Sequence, residues 1–459
     1  MKLDRRDLLV GGGALLWAGK SPAGAAESSN WSNWRGPFFN GSSDDRGLPA
    51  KFGPSEGVRW AVPMPGPSAA TPIIWGQSVF VSSTDPAARQ LLAMCLDRKT
   101  GAIRWKHPAG TGYRSGGQGD EIQLDARSNY ASPSPVTDGK RVVFFYGNGD
   151  LVAFDFAGKK LWARNLQRDF GDFAFNFTFA SSPQFYGGRL YMQVLQRNQA
   201  IGSRGRAGAE SFLLAMDPST GKDLWRALRP SPAGAESLEA YSTPIPFEHK
   251  GRKEILISGG DILTGHDPAT GRELWRWGTW NEEPDVPGSR HRRKDFRLVP
   301  SPVAGGGVVL GCGPKQKPVF AVKAGANGDV TEGGLAWHSE YKSQVTSDVP
   351  TPIFYKDRFY VASDLRKAVS AVDPRDGKVI WSTPTPSRTA VWASPTAADG
   401  KIFAMSLGGE VNVYNADSGE LLATNPMAPD ENEIRSSVAI AGGNLFIRTN
   451  TRLFCIGKP

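Results

Sequence analysis

The feature that most constrains the fold is a short phrase that recurs along the chain. In each copy an apolar strand ends in Asp, turn residues follow, then Gly, and a Trp stands four residues after the Gly. The clear copies are LLAMCLDRKTGAIRW, LVAFDFAGKKLW, FLLAMDPSTGKDLW, HDPATGRELW and VSAVDPRDGKVIW, with their tryptophans at Trp105, Trp162, Trp225, Trp275 and Trp381. Self-similarity of strands at a period of tens of residues indicates a radial or stacked repeat fold.

The residue types in this phrase have structural reasons to recur. An Asp side chain can accept hydrogen bonds from the backbone of the turn that follows it. Gly supplies the positive φ that closes a hairpin. The Trp then lies on the next strand, where its ring can be buried against the adjacent repeat. The most visible residues of this chain are therefore expected to stabilise the fold rather than to carry out chemistry.

A second phrase, Ser or Thr followed by Pro, recurs before each unit and introduces an alternating strand. The copies are Thr71-Pro72, Ser132-Pro133, Ser182-Pro183, Thr243-Pro244, Ser301-Pro302, Thr351-Pro352 and Ser394-Pro395, and an eighth, Ser437-Val438, has no Pro. Pro is tolerated where a strand starts, because no ladder donor is needed there. Each copy leads into a strand, turn, strand, turn, strand pattern. With the Trp strand added, each unit contains four strands.

The number of units is eight once two degenerate Trp strands, at Trp337 and Ala423, are included. Trp60 is then left without a unit, and the last unit is left without a Trp strand. Joining the two ends completes one blade and removes the exposed edges of an open array. The sequence predicts an all-β fold, an eight-bladed β-propeller of four-stranded antiparallel blades closed by N- and C-terminal strands. An open β-solenoid is the alternative, and it explains the split terminal unit poorly.

The N-terminus has the features of an export signal. Paired Arg5 and Arg6 precede a short apolar run, and small residues suit cleavage near Ala25 or Ala26. We expect residues 1–26 to be a twin-arginine-type signal peptide, 27–57 a leader segment and 58–459 the propeller. This predicts a periplasmic or otherwise extracytoplasmic monomer without a transmembrane segment in the mature chain. An uncleaved membrane anchor is the alternative.

Charge and cysteine content constrain partners only weakly. The net charge is +9, and it falls to +7 without residues 1–26, which contain four basic and two acidic residues. Basic runs at 288–297 and 203–206 are interpreted as solvated loops, or alternatively as contacts for a phospholipid surface or anionic polymer. No nucleic-acid-binding module is recognisable. Cys95 and Cys455 stand where other units have Ala and are expected to be core thiols, and no disulfide partner is evident for Cys312.

Motifs for catalysis or metal binding are not found in the sequence. The five His residues never pair at metal-ligand spacing, and there is no H-E-x-x-H, C-x-x-C or calcium-loop pattern. The segment GNGDLV begins like a dinucleotide fingerprint, but Val152 replaces its third Gly. No catalytic residue and no metal ligand is therefore assigned.

The phrase D-P-x-T-G-x-x-x-W resembles the pyrroloquinoline quinone (PQQ) repeat. The opening NWSNWRGPFFNGSSDDRGLPAKF resembles the leader of exported PQQ-binding-like propellers related to the assembly factor BamB, and the similarity spans nearly all of residues 31–459. This resemblance implies a family that contains both quinoprotein dehydrogenases and non-catalytic scaffolds. Its alcohol dehydrogenases clamp the quinone beneath a disulfide of adjacent cysteines and hold Ca²⁺ with acidic and amide side chains. This chain has no adjacent Cys pair, no cytochrome motif C-x-x-C-H and no lipidated Cys after its signal.

Two functions follow from these observations. The first is an exported non-catalytic propeller that binds a protein or an envelope polymer, with no cofactor, and the missing Cys pair and cytochrome motif favour it. The alternative is a PQQ-dependent dehydrogenase that uses Ca²⁺ and acts on an alcohol or sugar. Export in a folded state favours this alternative.

A ligand site is expected at the central channel, because residues just before each Ser/Thr-Pro phrase enter the innermost strands. They combine arginines and carboxylates with aromatic rings, which suits a planar, anionic or sugar-like ligand. The alternative is a ring of mutually paired charges that fills the channel. The candidate residues are Arg127, Asn129, Tyr130, Asn176, Glu239, Tyr241, Arg297, Asp348, Trp392, Glu433 and Arg435.

Overall fold

The computed structural model describes residues 30–113, 127–278 and 296–458. The predicted signal peptide with its cleavage site, and most of the basic run at 288–297, lie outside these residues. Within them, the strands form eight separate sheets, each with a four-stranded antiparallel core, as the repeat count predicts. The chain is an eight-bladed β-propeller. No helix among the described residues is long and apolar enough to cross a membrane.

The first strand, β1 (Val58–Pro63), belongs to the last blade, and the blades are numbered here from the strand that follows it. Blade 1 consists of β2 (Ile73–Trp75), β3 (Ser78–Asp85), β4 (Gln90–Asp97) and β5 (Ile103–Pro108). Blade 2 consists of β6 (Val136–Thr137), β7 (Arg141–Phe145), β8 (Asp150–Asp155) and β9 (Lys160–Asn165), and a short helix, α1 (Leu166–Phe170), follows it. Blade 3 consists of β10 (Gln184–Tyr186), β11 (Arg189–Val194), β12 (Phe212–Met216) and β13 (Asp223–Leu228), followed by a 3₁₀ turn (Ala235–Leu238).

An insertion within blade 5 pairs with the outer strand of blade 4. Blade 4 consists of β14 (Ile245–His249), β15 (Arg252–Gly259), β16 (Ile262–His266) and β17 (Glu273–Gly278). Blade 5 consists of β18 (Val303–Gly305), β19 (Val308–Cys312), β20 (Val319–Lys323) and β22 (Leu335–His338). The insertion in blade 5 contains β21 (Gly328–Asp329), which pairs in parallel with β17 and adds a fifth strand to the sheet of blade 4.

The remaining blades close the ring. Blade 6 consists of β23 (Ile353–Tyr355), β24 (Arg358–Ser363), β25 (Ala368–Val372) and β26 (Val379–Pro384). Blade 7 consists of β27 (Thr396–Ala398), β28 (Lys401–Met405), β29 (Glu410–Asn415) and β30 (Leu421–Pro426). Blade 8 consists of β31 (Ala439–Ala441), β32 (Asn444–Arg448) and β33 (Arg452–Gly457), with β1 as its outer strand. Trp60 faces Cys455 in this pairing, which confirms closure by strands from both ends of the chain.

The Ser/Thr-Pro phrases of blades 1 to 7 form part of a hydrogen-bonded circle around the channel. In blades 2 to 7 a hydroxyl two residues before the innermost strand accepts a backbone N–H from the equivalent residue of the preceding blade. The bonds run from Thr71 to Ser134, then to Ser182, Thr243, Ser301, Thr351 and Ser394, with N···O distances of 2.8–3.0 Å. In blade 2 the member of this circle is Ser134, not the predicted Ser132, because the SPSP segment offers two candidates and the strand starts at Val136.

The tryptophans lie on the outer strands and pack against the next blade. Trp337, for example, donates its indole N–H to the carbonyl oxygen of Pro374 at 2.7 Å, and its ring covers Gly377. Gly377 has φ +76°, and a Cβ there would lie 2.6 Å from the Trp337 ring. Both the turn and the close approach therefore require glycine.

The leader crosses the ring at the channel. Trp31 pairs with Ile74 of blade 1, and Thr137 of blade 2 donates its N–H to the carbonyl of Ser32. Arg35 is fully buried and donates to the carbonyl oxygen of Pro352, in blade 6, at 2.9 Å. The leader thus joins inner strands that are far apart around the ring.

Candidate functional site

A cavity of about 340 Å³ occupies the channel. It is lined by the segments that lead into the innermost strands, by loops from blades 5 and 6, and by Trp34 of the leader. Six of the eleven predicted residues line this one cavity: Arg127, Tyr241, Arg297, Asp348, Trp392 and Arg435. The channel is therefore not filled by paired side chains, although several of its charges are paired.

The other five predicted residues do not line this cavity. Glu239 is fully buried and pairs with Arg197 behind Tyr241. Tyr130 lines a smaller pocket of about 40 Å³ beside the channel. Asn129 and Asn176 belong to the loops behind the lining, and Glu433 is half exposed and pairs with Arg435. Position along the chain therefore does not by itself decide which of these side chains line the cavity.

Two arginines meet over one aromatic ring of the cavity. The guanidinium carbons of Arg127 and Arg297 lie 4.7 and 4.9 Å from the ring centroid of Phe177. Arg297 also pairs with Glu236 at 3.2 Å, while its Nε is buried without a hydrogen-bond partner. A buried donor without a partner costs free energy unless water or a ligand satisfies it. The Nε itself is covered, and Arg297 contributes its positive charge to the cavity that it lines.

The position of Phe177 is set from behind by Tyr241 and Glu239. The hydroxyl of Tyr241 donates to Glu239 at 2.7 Å and accepts the backbone N–H of Phe177 at 3.1 Å. Burial raises the pKa of Tyr241 well above its ordinary value, so the hydroxyl keeps its proton and this donor role. Glu239 thus supports the cavity wall without touching its interior.

A cation and two carboxylates form a second compact cluster in the cavity wall. Lys315 donates its backbone N–H to Asp348 at 2.7 Å and its ammonium to the other carboxylate oxygen at 3.0 Å. The backbone N–H of Asp348 donates to Asp364 at 3.0 Å. Burial raises the pKa of Asp364 to about 6, with the nearby Asp348 carboxylate acting in the same direction. Asp364 is thus a buried carboxyl that titrates near neutral pH.

Four lining residues, Trp34, Phe177, Lys315 and Asp364, were missed by sequence reasoning. Lys315 and Asp364 lie in the loops after β19 and β24, and these loops open at the same face as the predicted residues. The repeat phase alone could have indicated them, because equivalent loops share one face of a propeller. For Trp34 and Phe177, nothing in the neighbouring sequence distinguishes a residue that lines the cavity from one that packs in the core.

These side chains suit a planar polyanion better than a metal ion. Arg127, Arg297, Lys315 and Arg435 supply positive charge, and Trp34 and Trp392 supply flat surfaces. In contrast, Ca²⁺ takes six to eight oxygen ligands. The described ranges contain no group of three or more His, Cys, Asp or Glu that could hold a metal ion. Both oxygens of Asp348 also accept hydrogen bonds from Lys315, so a divalent cation does not fit this cluster.

Comparison with known proteins places this chain among propellers of several activities. It matches a family model described as outer membrane protein assembly factor BamB over residues 43–178, 95–309 and 215–458. It is 22% identical to a polyvinylalcohol dehydrogenase from Pseudomonas sp. over 87% of this chain and 68% of that protein.

Solved structures with the same fold include the BamB of Moraxella catarrhalis, with a TM-score of 0.59 and 12% identity over 87% of this chain and 99% of that one. The quinohemoprotein alcohol dehydrogenase of Comamonas testosteroni gives a TM-score of 0.60 and 14% identity over 95% and 82%. At these identities the structural likeness shows the fold alone.

Proposed function

This chain belongs to the family described as outer membrane protein assembly factor BamB, and from that premise we propose that it is an exported propeller whose channel cavity binds a planar, multiply anionic small molecule. The observation that carries the proposal is the convergence of four cationic side chains and two tryptophans on one cavity of about 340 Å³. Pockets of about this size are typical of sites for small molecules. Cationic groups beside aromatic faces bind flat anions through charge and stacking together.

A tricarboxylated quinone of the PQQ type is the ligand class that this cavity suits. Its carboxylates would be held by Arg127, Arg297, Lys315 and Arg435, and its ring system would lie against Trp34 or Trp392. A scaffold that uses only its outer surface has no need for a hollow channel lined in this way. The proposal therefore adds small-molecule binding to the envelope-binding role that the sequence favoured.

Oxidation of an alcohol is the second candidate function, and Asp364 favours it. Oxidation of an alcohol removes a hydride equivalent from carbon and a proton from the hydroxyl group. PQQ, if bound, would supply the acceptor for the hydride equivalent, and a neighbouring base would take the hydroxyl proton. Asp364 lines the cavity, and its pKa of about 6 leaves it largely ionised yet basic at neutral pH. The similarity to a polyvinylalcohol dehydrogenase points to the same chemical class.

Calorimetric titration of the purified protein with PQQ tests the binding proposal. We expect binding of one molecule per chain, weakened about tenfold or more by Arg297→Gln, because a hydrogen bond from a charged group contributes about 1.5–3 kcal/mol. Arg358→Gln, which removes an arginine paired with Asp417 on a blade surface, is the matched control and should bind normally. If the wild-type protein takes up no PQQ, the proposal is wrong.

Dye reduction by the PQQ-loaded protein with a panel of alcohols and sugars tests the second candidate. Turnover that is lost in Asp364→Asn while PQQ binding persists would support it. Binding without turnover would leave a non-catalytic ligand-binding propeller.

Export through the twin-arginine route is part of the same proposal. The paired Arg5 and Arg6 before a short apolar run support it. Replacing both with Lys should leave the precursor inside the cell, and fractionation with an antibody would detect it. Normal export of that variant would contradict the assignment.

A further inference from the structure

We infer that the Lys315 ammonium takes the place of a metal ion beside Asp348 and supplies the positive charge there. Ligand binding in this cavity therefore needs no divalent cation. The inference rests on the proposed function, because it concerns the same cavity.

The first support is the geometry of the contact. One residue uses both oxygens of the Asp348 carboxylate, through its backbone N–H at 2.7 Å and its ammonium at 3.0 Å. This is the two-point contact that a carboxylate would otherwise offer to a metal ion. An ammonium in that position neutralises the carboxylate and excludes a second cation from it.

The second support is the backbone of Lys315, which has φ +61°. This left-handed conformation is uncommon outside glycine and turn-forming residues, and it persists only where the surroundings enforce it. Here the hydrogen bond from its own N–H to the buried Asp348 holds it. The surroundings thus enforce the backbone conformation that places the lysine at the carboxylate.

The third support is where the charge is presented. Asp348 and Asp364 are 6% and 3% exposed, while the Lys315 side chain is 36% exposed and lines the cavity. The carboxylates are thus covered and the ammonium faces the space that an occupant would fill. Its nitrogen also lies 5.3 Å from the ring centroid of Phe296, which holds the cation near the cavity wall.

The test is the affinity of the full-length mature protein for PQQ, measured calorimetrically in excess EDTA and again in excess CaCl₂. We expect the same affinity under both conditions. Lys315→Gln keeps the backbone clamp but removes the charge, and we expect its affinity to fall about ten- to a hundredfold. Lys315→Arg keeps the charge and should retain most of the affinity.

Lys342→Gln is the matched control. Lys342 is also a lysine at φ +61°, but it is exposed and lies outside the cavity, so its substitution should leave the affinity unchanged. Loss of PQQ binding in EDTA that Ca²⁺ restores would overturn the inference, as would full affinity in Lys315→Gln. Absence of PQQ binding under every condition would instead contradict the proposed function on which it rests.

Discussion

At the scale of single residues, the size of a side chain depends on the size of its partner on the neighbouring strand. In seven blades the outer-strand Trp faces a small residue on the neighbouring strand: Cys95, Ala153, Ala215, Gly265, Ala321, Ala371 and Cys455. In blade 7 the Trp is replaced by Ala423, and its partner is the larger Val413. The larger Val413 fills only part of the space that the missing indole leaves, which is the direction of compensation that close-packed interiors favour. Cys95 and Cys455 are free, buried thiols and take the small place in this pairing.

The carboxyl of Asp364 makes stability depend on pH in a predictable direction. Its pKa of about 6 in the folded protein lies above the ordinary value of 3.8, mainly because of burial. The folded state therefore binds more protons than the unfolded state between about pH 4 and 6, and the free energy of unfolding falls as pH rises through this window. Above pH 6 the full cost of the buried charge remains.

Asp364→Asn should remove this cost. The amide oxygen of Asn can still accept the N–H of Asp348, so we expect a gain of about 1–3 kcal/mol in the free energy of unfolding at pH 7.5 and little change at pH 4. Urea denaturation at pH values between 4 and 8 measures the difference. A variant that is destabilised equally at all pH values would contradict this account.

At the scale of elements, the entry to each innermost strand is the most repeated hydrogen-bonded unit of the fold. The Thr243 hydroxyl accepts a hydrogen bond from the backbone N–H of Ser182 at 3.0 Å. The backbone N–H of Thr243 in turn donates to the Ser301 hydroxyl at 2.8 Å. These hydrogen bonds link blades 1 to 7 near the axis. At the periphery, tryptophans such as Trp105 and Trp337 contact the next blade, so these blades are joined at both edges.

Thr243→Val tests the contribution of one link. The valine has the same shape but cannot accept the Ser182 N–H, so we expect a loss of about 1–3 kcal/mol in the free energy of unfolding. Thr71→Val is the matched control, because the Thr71 hydroxyl is buried without a hydrogen-bond partner and its removal should be nearly neutral. Equal losses in both variants would show that packing, not the hydrogen bond, matters at these positions.

The leader is a second element whose role depends on contacts with distant blades. The Arg35 guanidinium donates to backbone carbonyls and lies over the Trp34 ring, and burial lowers its pKa to about 9. Arg35→Met should lower the free energy of unfolding by about 2–4 kcal/mol, because it leaves buried carbonyl groups without donors. Denaturation together with limited proteolysis near residue 35 measures this. Arg46→Met, at an exposed leader position, is the control and should have little effect.

At the scale of the whole molecule, stability depends on one closure. Blade 8 is completed only when β1 pairs with β33, so the first and last strands of the fold are neighbours. A ring of this kind leaves no blade interface open to solvent. Because of this pairing, the series of repeats begins at Trp60 and ends at Cys455 in the same blade.

Deletion of residues 452–459 removes β33 and should abolish closure. We expect the truncated protein to expose β1 and β32 and to aggregate, whereas deletion of residues 458–459 alone should leave a folded monomer. Size-exclusion chromatography of the two proteins distinguishes these outcomes. A monomeric, cooperatively unfolding truncation would mean that the ring does not depend on this pairing.

The blade count, the strand order and the closing strand were accessible from the sequence, because each depends on hydrogen bonds and packing that recur in every repeat. Local phrases such as D-P-x-T-G-x-x-x-W are the direct record of those contacts. The site was accessible in part: Arg127, Arg297 and Asp348 were found because their phase in the repeat places them at the channel. Position in a repeat predicts the face on which a residue lies.

Only the tertiary structure decided which side chains reach the cavity. Glu239 turns behind Tyr241 to pair with Arg197, and no spacing rule indicates that. Arg35 lies 360 residues from Pro395 yet donates to its carbonyl, and Trp34 enters the cavity beside it. Lys315 and Asp364 both form hydrogen bonds with Asp348, which lies on a different loop from either of them. Side-chain direction and contacts between distant segments depend on the assembled ring, so a periodic sequence pattern does not contain them.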